Sequence, residues 1–350
     1  MEILRIIPRS NSSLNFDWIS DKTRFQYDGF SNQRLISPMV GTTLKTSSTK
    51  EFLNSGFEQV SSKEGINTID TFTRLTYLKS LINKEGKKQK LEGLQSGKKQ
   101  IGKLSDLHSI VAFDHMLWRL GYNFKTKKNI DFPLAYTFGT TLKEIENCDT
   151  CLLIGTDPLK EGTLVNVHLR ERFLKGSFSV SNIGAPLKVT YPVTNLGNST
   201  RTLLDFAEGK HWFCKTFLKS AKPIVIIGQN TYQREDYPTI NLMLQKIKKY
   251  VPSLEVNILH HNASHVAELD VGCFDDCLED SREKSPGVSI HWGEREIPRS
   301  SNELIDGLLS NESLHVFIGH NGIPSEIKTS DVIFPSTNST EKVGTYVNTE

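Results

Sequence analysis

Short apolar runs that stop at a glycine recur along the chain. Residues 151–155, 224–228 and 315–319 follow this pattern, and residues 288–293 form a degraded fourth copy. These runs do not alternate between polar and apolar positions, which is typical of strands covered on both faces in a parallel sheet. Open α/β sheets bind phosphate-bearing ligands where such strands end, so the glycines mark the first candidate site.

Other segments of the chain have apolar residues at helical spacing. Ser105 predicts the start of one helix and Gly121 its end, a second helix follows Gly155, and Pro252 ends a third. The apolar positions of the three helices are Leu107, Ile110, Val111, Leu117 and Leu120; Leu164, Val167, His168 and Phe173; and Ile240, Met243, Leu244, Ile247 and Val251.

Further strands are predicted at residues 1–8, 132–136, 187–191, 254–259 and 331–335, and a short helix at 142–146. Strand and helix therefore alternate repeatedly. This order predicts an α/β fold with open, mostly parallel sheets flanked by helices, in two or more lobes.

Composition narrows the classes of partner. The 350 residues include 42 basic and 40 acidic side chains, a balance that gives no global attraction to nucleic acid or anionic lipid. Five cysteines in a chain of this length indicate a reducing compartment rather than a disulfide framework. No apolar run approaches the roughly 20 residues that span a bilayer, so direct membrane insertion is not expected.

A lysine-rich loop at residues 84–103 could hold phosphates, but no aromatic side chain within it could stack on bases. Its segment 97–103 has the spacing of a phosphate-binding loop up to Lys103. Leu104 then stands where magnesium coordination needs a hydroxyl, so the match is read as chance. A nucleic-acid-binding module that uses this loop remains an alternative.

Cysteines and histidines offer a possible metal site. Cys148 and Cys151 could combine with Cys273 and Cys277, or with the histidines His260, His261 and His265, to bind zinc or an iron–sulfur cluster. A redox pair of cysteines normally follows a strand, whereas Cys148 and Cys151 precede theirs. Buried or incidental cysteines are the preferred interpretation, and no metal ligand is predicted.

Catalytic motifs are absent from the sequence. It contains no G-x-S-x-G elbow and no G-x-G-x-x-G fingerprint, and Asp157 would place a negative charge where a pyrophosphate lies. No catalytic residue is predicted. The candidates for a vestigial pocket are Gly155, Thr156, Asp157, Gly228 and Gly319.

Several blocks of sequence together resemble the molybdopterin-oxidoreductase superfamily, and more closely the C-terminal region of the large iron–sulfur subunit of respiratory complex I. The blocks are residues 5–9, 18–29, 33–35, 38–39, 102–104, 153–158 with Arg170, 257–260 with Ala263, 331–335, 340–342 and 344–350. They run from one end of the chain to the other.

The resemblance implies four segments. Residues 1–40 would be a lead-in that resembles the end of a four-iron cluster domain, with Ser20 in place of its cysteine. Residues 41–150 would form a first α/β lobe that includes the loop 84–103, and residues 151–330 a second lobe with the strand–glycine units. Residues 331–350 would be the truncated start of a final strand and loop.

The same resemblance implies a function. The chain would be a non-catalytic scaffold, a split or truncated large subunit, that binds no cofactor itself while partner chains hold the iron–sulfur clusters and FMN. Its partners would be other complex I subunits, above all the chain carrying the iron–sulfur N-terminal region. It would lie on the matrix side of the mitochondrial inner membrane, or on the cytoplasmic face of a bacterial membrane. A fragment of a molybdopterin or tungstopterin oxidoreductase is the main alternative.

Overall fold

The computed structural model describes residues 3–30, 32, 34–36, 38–40, 99–101, 106–119, 133–272, 288–292, 314–321 and 332–348. The chain forms two compact units, each built from separate segments. The first consists of Met1–Asp28, Asn129–Val266 and Val347–Glu350, and the second of Gly29–Lys128 and Ala267–Tyr346. Neither unit coincides with any of the four segments predicted from the sequence. The boundaries of those four segments stay a prediction.

Ten strands and nine α-helices lie within the described residues. The strands are β1 (Met39–Val40), β2 (Lys99–Ile101), β3 (Thr150–Ile154), β4 (Ser179–Ile183), β5 (Thr194–Gly197), β6 (Pro223–Gly228), β7 (Glu255–Leu259), β8 (Val288–Trp292), β9 (Leu314–Gly319) and β10 (Val332–Pro335). The helices are α1 (Asp21–Arg24), α2 (Leu107–Arg119), α3 (Pro158–Glu161), α4 (Thr163–Leu174), α5 (Thr200–Ala207), α6 (Cys214–Phe217), α7 (Gln229–Tyr232), α8 (Tyr237–Tyr250) and α9 (His265–Val271).

The first unit is built on a five-stranded parallel sheet in the order β5-β4-β3-β6-β7. The chain starts at the central strand β3, winds outward to β5, and then crosses to β6 and winds outward to β7. This is the doubly wound arrangement, and its strand order reverses between β3 and β6. The predicted α/β fold is confirmed.

Both faces of this sheet are buried, as the unalternating apolar runs predict. Every residue of β3 and β6 is buried. One face packs against α4 and the 3-10 helix Leu142–Asn147, and α5 packs against α8. The predicted helices at α2, α4 and α8 and the short helix near 142–146 are confirmed. In α4, however, the fully buried side chains are Val165, Asn166, His168 and Leu169, so only His168 of the predicted apolar positions is among them.

Three predicted strands are wrong. Residues 132–136 contain the 3-10 helix Pro133–Ala135, and the described residues 3–8 form no strand. Residues 187–191 are irregular, because Pro186 and Pro192 bracket them and proline cannot donate to a strand ladder. The strands in this region are β4 and β5. Their polar residues, such as the buried Ser181 and Asn182, conceal them in the sequence.

The second unit contains the sheet β1-β10-β9-β8-β2, which is parallel except for the pairing of β1 with β10. The predicted strands near 288–293, 315–319 and 331–335 are β8, β9 and β10. Within this unit an ion pair joins Arg34 to Glu341 and another joins Asp106 to Lys342. The blocks that carry the resemblance at residues 33–35 and 340–342 are therefore in direct contact.

Asp106, rather than the predicted Ser105, caps helix α2. Its carboxyl oxygens accept from the Ser109 backbone N–H at 3.3 Å and from the Ser109 hydroxyl at 2.7 Å. Burial alone would raise the pKa of Asp106, but the bonds from Lys342 and Ser109 outweigh it and lower the pKa. Ser105 lies outside the described residues.

Candidate functional site

The carboxyl edge of the first unit's sheet brings four of the five predicted pocket residues together. Gly155, Thr156 and Asp157 follow β3, and Gly228 is the last residue of β6. These two strands flank the point where the strand order reverses, which is where doubly wound sheets bind ligands. The fifth candidate, Gly319, ends β9 in the second unit.

The two loops at this edge touch each other. Gly155 has a φ of +57°, and a Cβ atom placed on it would lie 2.1 Å from Thr231 Oγ1 in α7. A Cβ atom on Gly228 would lie 2.4 Å from the Gly155 carbonyl oxygen and 2.9 Å from Thr156 Cβ. A Cβ atom would collide in both spaces, so the two glycines are needed for these neighbouring loops to lie as close as they do.

Three polar groups of the loop after β3 are engaged within the chain. The Gly155 N–H donates to Ile183 O at 3.0 Å, and the Thr156 hydroxyl donates to Glu161 Oε2 at 2.7 Å. Asp157 caps α3 by accepting from the Leu159 N–H at 3.2 Å. The position where a phosphate would lie in such a loop therefore carries a carboxylate, as the sequence indicates.

Two buried amide side chains at the same edge are absent from the predicted candidates. Asn182 at the end of β4 donates to Ala185 O at 2.8 Å, and Gln229 after β6 accepts from the His261 N–H at 3.0 Å. Their remaining amide atoms, Asn182 Oδ1 and Gln229 Nε2, are buried and have no hydrogen-bond partner among the described residues. Leaving such an atom unpaired costs roughly 1–3 kcal/mol, so each needs a small polar group or a buried water.

The predicted histidine cluster lies at the carboxyl end of β7 and is part of the core. His260 Nε2 donates to Tyr136 O at 2.6 Å, and its ring packs edge-on against His265 and Tyr232. His261 is exposed, whereas His265 is buried at the start of α9. Across the described part of the chain, no group of three or more His, Cys, Asp or Glu side chains could hold a metal ion. Cys273 and Cys277 lie outside the described residues.

Cys148 and Cys151 lie at the opposite end of β3 and are buried in the core. Burial raises the pKa of the Cys148 thiol to about 11, and it raises the pKa of Cys151 well above its usual range. Both thiols are therefore protonated at neutral pH, which makes them poor nucleophiles and poor metal ligands.

Ser20 and its neighbours have a structural role in the lead-in. The Ser20 hydroxyl caps α1 by accepting from the Thr23 N–H at 3.1 Å. The lead-in is fastened to α4 by the fully buried His168, whose Nε2 donates to Leu14 O at 2.9 Å. The His168 ring also packs on Phe16 with 4.6 Å between centroids.

Comparison with known proteins identifies the family. The family model "Molybdopterin oxidoreductase" matches residues 79–350. The chain belongs to this family. A second model, "NADH-ubiquinone oxidoreductase NDSU1/NuoG-like, 4Fe-4S domain", matches residues 1–28, which lie within the predicted lead-in.

Curated relatives match the whole chain. The chain is 34% identical over 377 residues to the NADH-ubiquinone oxidoreductase 75 kDa subunit of Reclinomonas americana, and covers 50% of that protein. It is 30% identical over 362 residues to an NADH-quinone oxidoreductase subunit of Rickettsia prowazekii, covering 47%, and 29% identical over 364 residues to the mitochondrial 78 kDa subunit of Candida albicans, covering 45%. The resemblance predicted from the sequence is confirmed, and the chain spans about half the length of these relatives.

The name of the molybdopterin oxidoreductase family implies a pterin cofactor, and the residues at the switch point do not fit its phosphate-bearing part. The loops after β3 and β6 are in contact where that group would lie. The Gly155 amide is already bonded, and Asp157 would repel a phosphate. Lys160, the adjacent cation, is paired with Asp157 at 3.1 Å.

Proposed function

We propose that this chain is a non-catalytic scaffold in the peripheral arm of respiratory complex I. Electrons would pass from NADH to ubiquinone through FMN and iron–sulfur clusters held by partner chains, and this chain would bind none of them. The observation that carries the scaffold role is the Asp157 carboxylate at the switch point, beside the close approach of Gly155 and Gly228 where no Cβ atom fits. The names of the full-length matches support membership of the complex.

The lead-in supplies the proposed contact with the cluster-bearing chain. Its residues 1–28 match a 4Fe-4S domain model, and it exposes the large apolar side chains of Leu4, Ile7, Trp18 and Phe25, each at least 60% accessible. A contiguous exposed apolar patch normally marks a surface that another protein covers, and the proposal takes these four side chains to form one. The attachment of the lead-in to His168 holds this surface on the α/β unit.

The proposed location follows from the relatives. We place the chain on the matrix side of the mitochondrial inner membrane, or on the cytoplasmic face of a bacterial membrane, because its relatives include mitochondrial and bacterial proteins. Within the described residues, no helix has both the length and the apolar character that crossing a membrane requires.

Native-gel fractionation of membranes that contain the tagged chain tests membership directly. We expect the chain to migrate with the large band that reduces a tetrazolium dye with NADH, together with polypeptides that carry iron–sulfur motifs. Migration as a free protein, or in an assembly without NADH dehydrogenase activity, would falsify the proposal.

Paired surface variants test the role of the lead-in. Trp18→Ser combined with Phe25→Ser should release most of the chain from the complex, because Trp and Phe at the centre of an interface often contribute about 2 kcal/mol or more each. Leu242→Ser, at an equally exposed position on α8, is the matched control and should leave assembly unchanged. If both variants remain in the complex to the same extent, the proposed contact through the lead-in is wrong. Membership of the complex is then still tested separately by the native gel.

One observation favours the alternative of a molybdopterin or tungstopterin oxidoreductase. Asn182 Oδ1 and Gln229 Nε2 are buried beside the crevice and unpaired within the described part of the chain, as residues that contact a ligand would be. Elemental analysis of the purified chain separates the two proposals. Stoichiometric molybdenum or tungsten would replace the scaffold with an enzyme. The nucleic-acid alternative rests on residues 84–103, of which only Lys99–Ile101 is described.

A further inference from the structure

The amino edge of the five-stranded sheet carries an exposed surface that the proposed function does not use. Helices α5 and α8 each connect parallel strands, so their C-terminal ends and the segments after them lie at the edge where β6 and β7 begin. We call this the amino-edge surface. It consists of the apolar side chains Trp212, Leu218 and Tyr250 and the lysines 210, 215, 219, 222, 246, 248 and 249, all of them exposed.

Trp212 is 61% exposed, and its support is rigid. It packs edge-on against Phe213, which forms a buried cluster with Phe206 and Phe217. The backbone on either side is fixed as well, since the Lys210 N–H donates to Asp205 O at 2.9 Å and the Phe213 N–H donates to His211 Nδ1 at 3.2 Å. A large ring held outward by a buried aromatic cluster loses little entropy when a partner covers it.

Lysines outnumber acids in the two segments near Trp212, although Glu208 pairs with Lys210 and the Asp149 carboxylate accepts from the Lys222 backbone N–H. Residues 208–222 contain four lysines and one acid, Glu208, and α8 contains three lysines and no acid. The pKa of Glu208 is lowered first by its hydrogen bond with Lys210 and by the charge of Lys210, and then by Lys246 and Arg201. Lys210 and Lys246, one from each segment, therefore both act on the Glu208 carboxylate.

Helix stability explains only part of this pattern. Lys248 and Lys249 lie in the last turn of α8, where a positive charge interacts favourably with the helix dipole. Lys219 and Lys222 lie outside any helix, and the dipole gives no reason for the exposure of Trp212 or Leu218. A central aromatic anchor with a charged rim is instead the usual composition of a protein interface.

We propose that the amino-edge surface binds an acidic surface of another protein, with Trp212 and Leu218 inserted into an apolar pocket and the lysines facing its carboxylates. Charge complementarity selects the acidic partner. A protein fits better than single-stranded nucleic acid, because Phe213 and Phe217 are buried and cannot form a stacking platform with Trp212. The inference does not depend on membership of complex I, since it requires only an acidic protein partner.

Photo-cross-linking from the anchor position tests the inference in cells. Trp212 is replaced by p-benzoylphenylalanine in the full chain, and the cross-linked peptides are sequenced. We expect cross-links to one protein segment with an excess of Asp and Glu. Adding Lys215→Glu and Lys219→Glu should lower their yield by about tenfold or more, because like charges then meet at the interface. The same probe at Leu242, exposed to a similar degree, is the control for random collision.

Three results would overturn the inference. They are cross-links only to lipid or nucleic acid, a yield no higher than at Leu242, and a yield unaffected by the two lysine reversals. Thermal unfolding of each variant should match that of the parent, because the altered side chains are exposed. If the reversals destabilise the chain, Lys215→Ala with Lys219→Ala is used instead. A yield from this pair equal to that of the parent then also overturns the inference.

Discussion

The two edges of the five-stranded sheet differ in a way that reverses the usual roles. At the carboxyl edge, where such sheets bind ligands, the loops after β3 and β6 are in contact, and the Gly155 amide and the Thr156 hydroxyl are bonded within the chain. At the amino edge, where only helix ends are expected, Trp212 and a set of lysines face outward. The same strands therefore end in two closely approaching loops at one edge and begin beside an exposed apolar and basic surface at the other.

A few individual residues account for this difference. Glycine at positions 155 and 228 lets two loops approach to distances at which any side chain would collide. Phenylalanine at positions 206, 213 and 217 fills the core beneath Trp212 and keeps its ring outside. The residues at each edge thus give the two edges of one sheet a different character.

The largest expected effect is at Gly228. Gly228→Ala would place a Cβ atom 2.4 Å from the Gly155 carbonyl oxygen, which is backbone and cannot rotate away. Overpacking of this kind costs typically about 1–3 kcal/mol, and the backbone collision puts this variant near the upper value. Native-state hydrogen exchange of the β3 and β6 amides measures the loss as a lower free energy of opening.

Gly162→Ala is the matched control for Gly228→Ala. Its Cβ atom would lie 2.9 Å from a methyl group of Leu259, a flexible side chain that can shift. We expect a loss of about 1 kcal/mol. If both substitutions cost the same, the contact between the two carboxyl-edge loops is not what makes Gly228 necessary.

Sequence patterns predicted β3 and β6 and the glycines at their carboxyl ends, because an apolar run that stops at a glycine is a local signal. The close approach of Thr231 to Gly155 was not predicted, because only tertiary folding brings these two residues together. The family match itself followed from local blocks, and the ion pair between Arg34 and Glu341 shows that two of these blocks are joined in space.

The errors also have physical causes. β4 was missed because Ser181 and Asn182 are polar yet buried, so its pattern resembles a loop. The amides Asn182 and Gln229 were missed as site residues for the same reason, because only the fold reveals that they are buried. Trp212 was not singled out because exposure cannot be read from the apolar character of a residue.

The second prediction concerns Gly155, whose φ of +57° is costly for other residues. Gly155→Ala should lose about 2 kcal/mol, from the left-handed backbone and from the collision with Thr231. Adding Thr231→Ala should restore about 1 kcal/mol, because it removes the collision and leaves the backbone cost. Gly209→Ala, at φ +74° with nothing within 4 Å, isolates that backbone cost. Additive losses in the double variant would contradict the proposed contact.

The third prediction concerns a cation that stabilises the fold, in contrast to the exposed lysines of the amino-edge surface. Arg172 donates to Cys148 O and Gly176 O, both at 2.6 Å, and lies over the Phe178 ring. Arg172→Met should lower the free energy of unfolding by about 1.5 kcal/mol, because it removes charged hydrogen bonds to backbone carbonyls. Arg170→Met, on an exposed position of the same helix, should change it by less than about 0.5 kcal/mol. Similar losses in urea unfolding would mean that Arg172 contributes no specific contact.

The smallest expected effect is at Trp212 itself. Because its ring is exposed, Trp212→Ser should change the free energy of unfolding by less than about 0.5 kcal/mol, as surface substitutions usually do. Phe213→Ser, at the next residue but buried in the aromatic cluster, should cost about 3 kcal/mol or more. Urea unfolding of the two variants therefore separates a side chain that stabilises the fold from one that does not. A large loss in Trp212→Ser would mean that the ring is part of the core, and the reason to assign it to a partner would disappear.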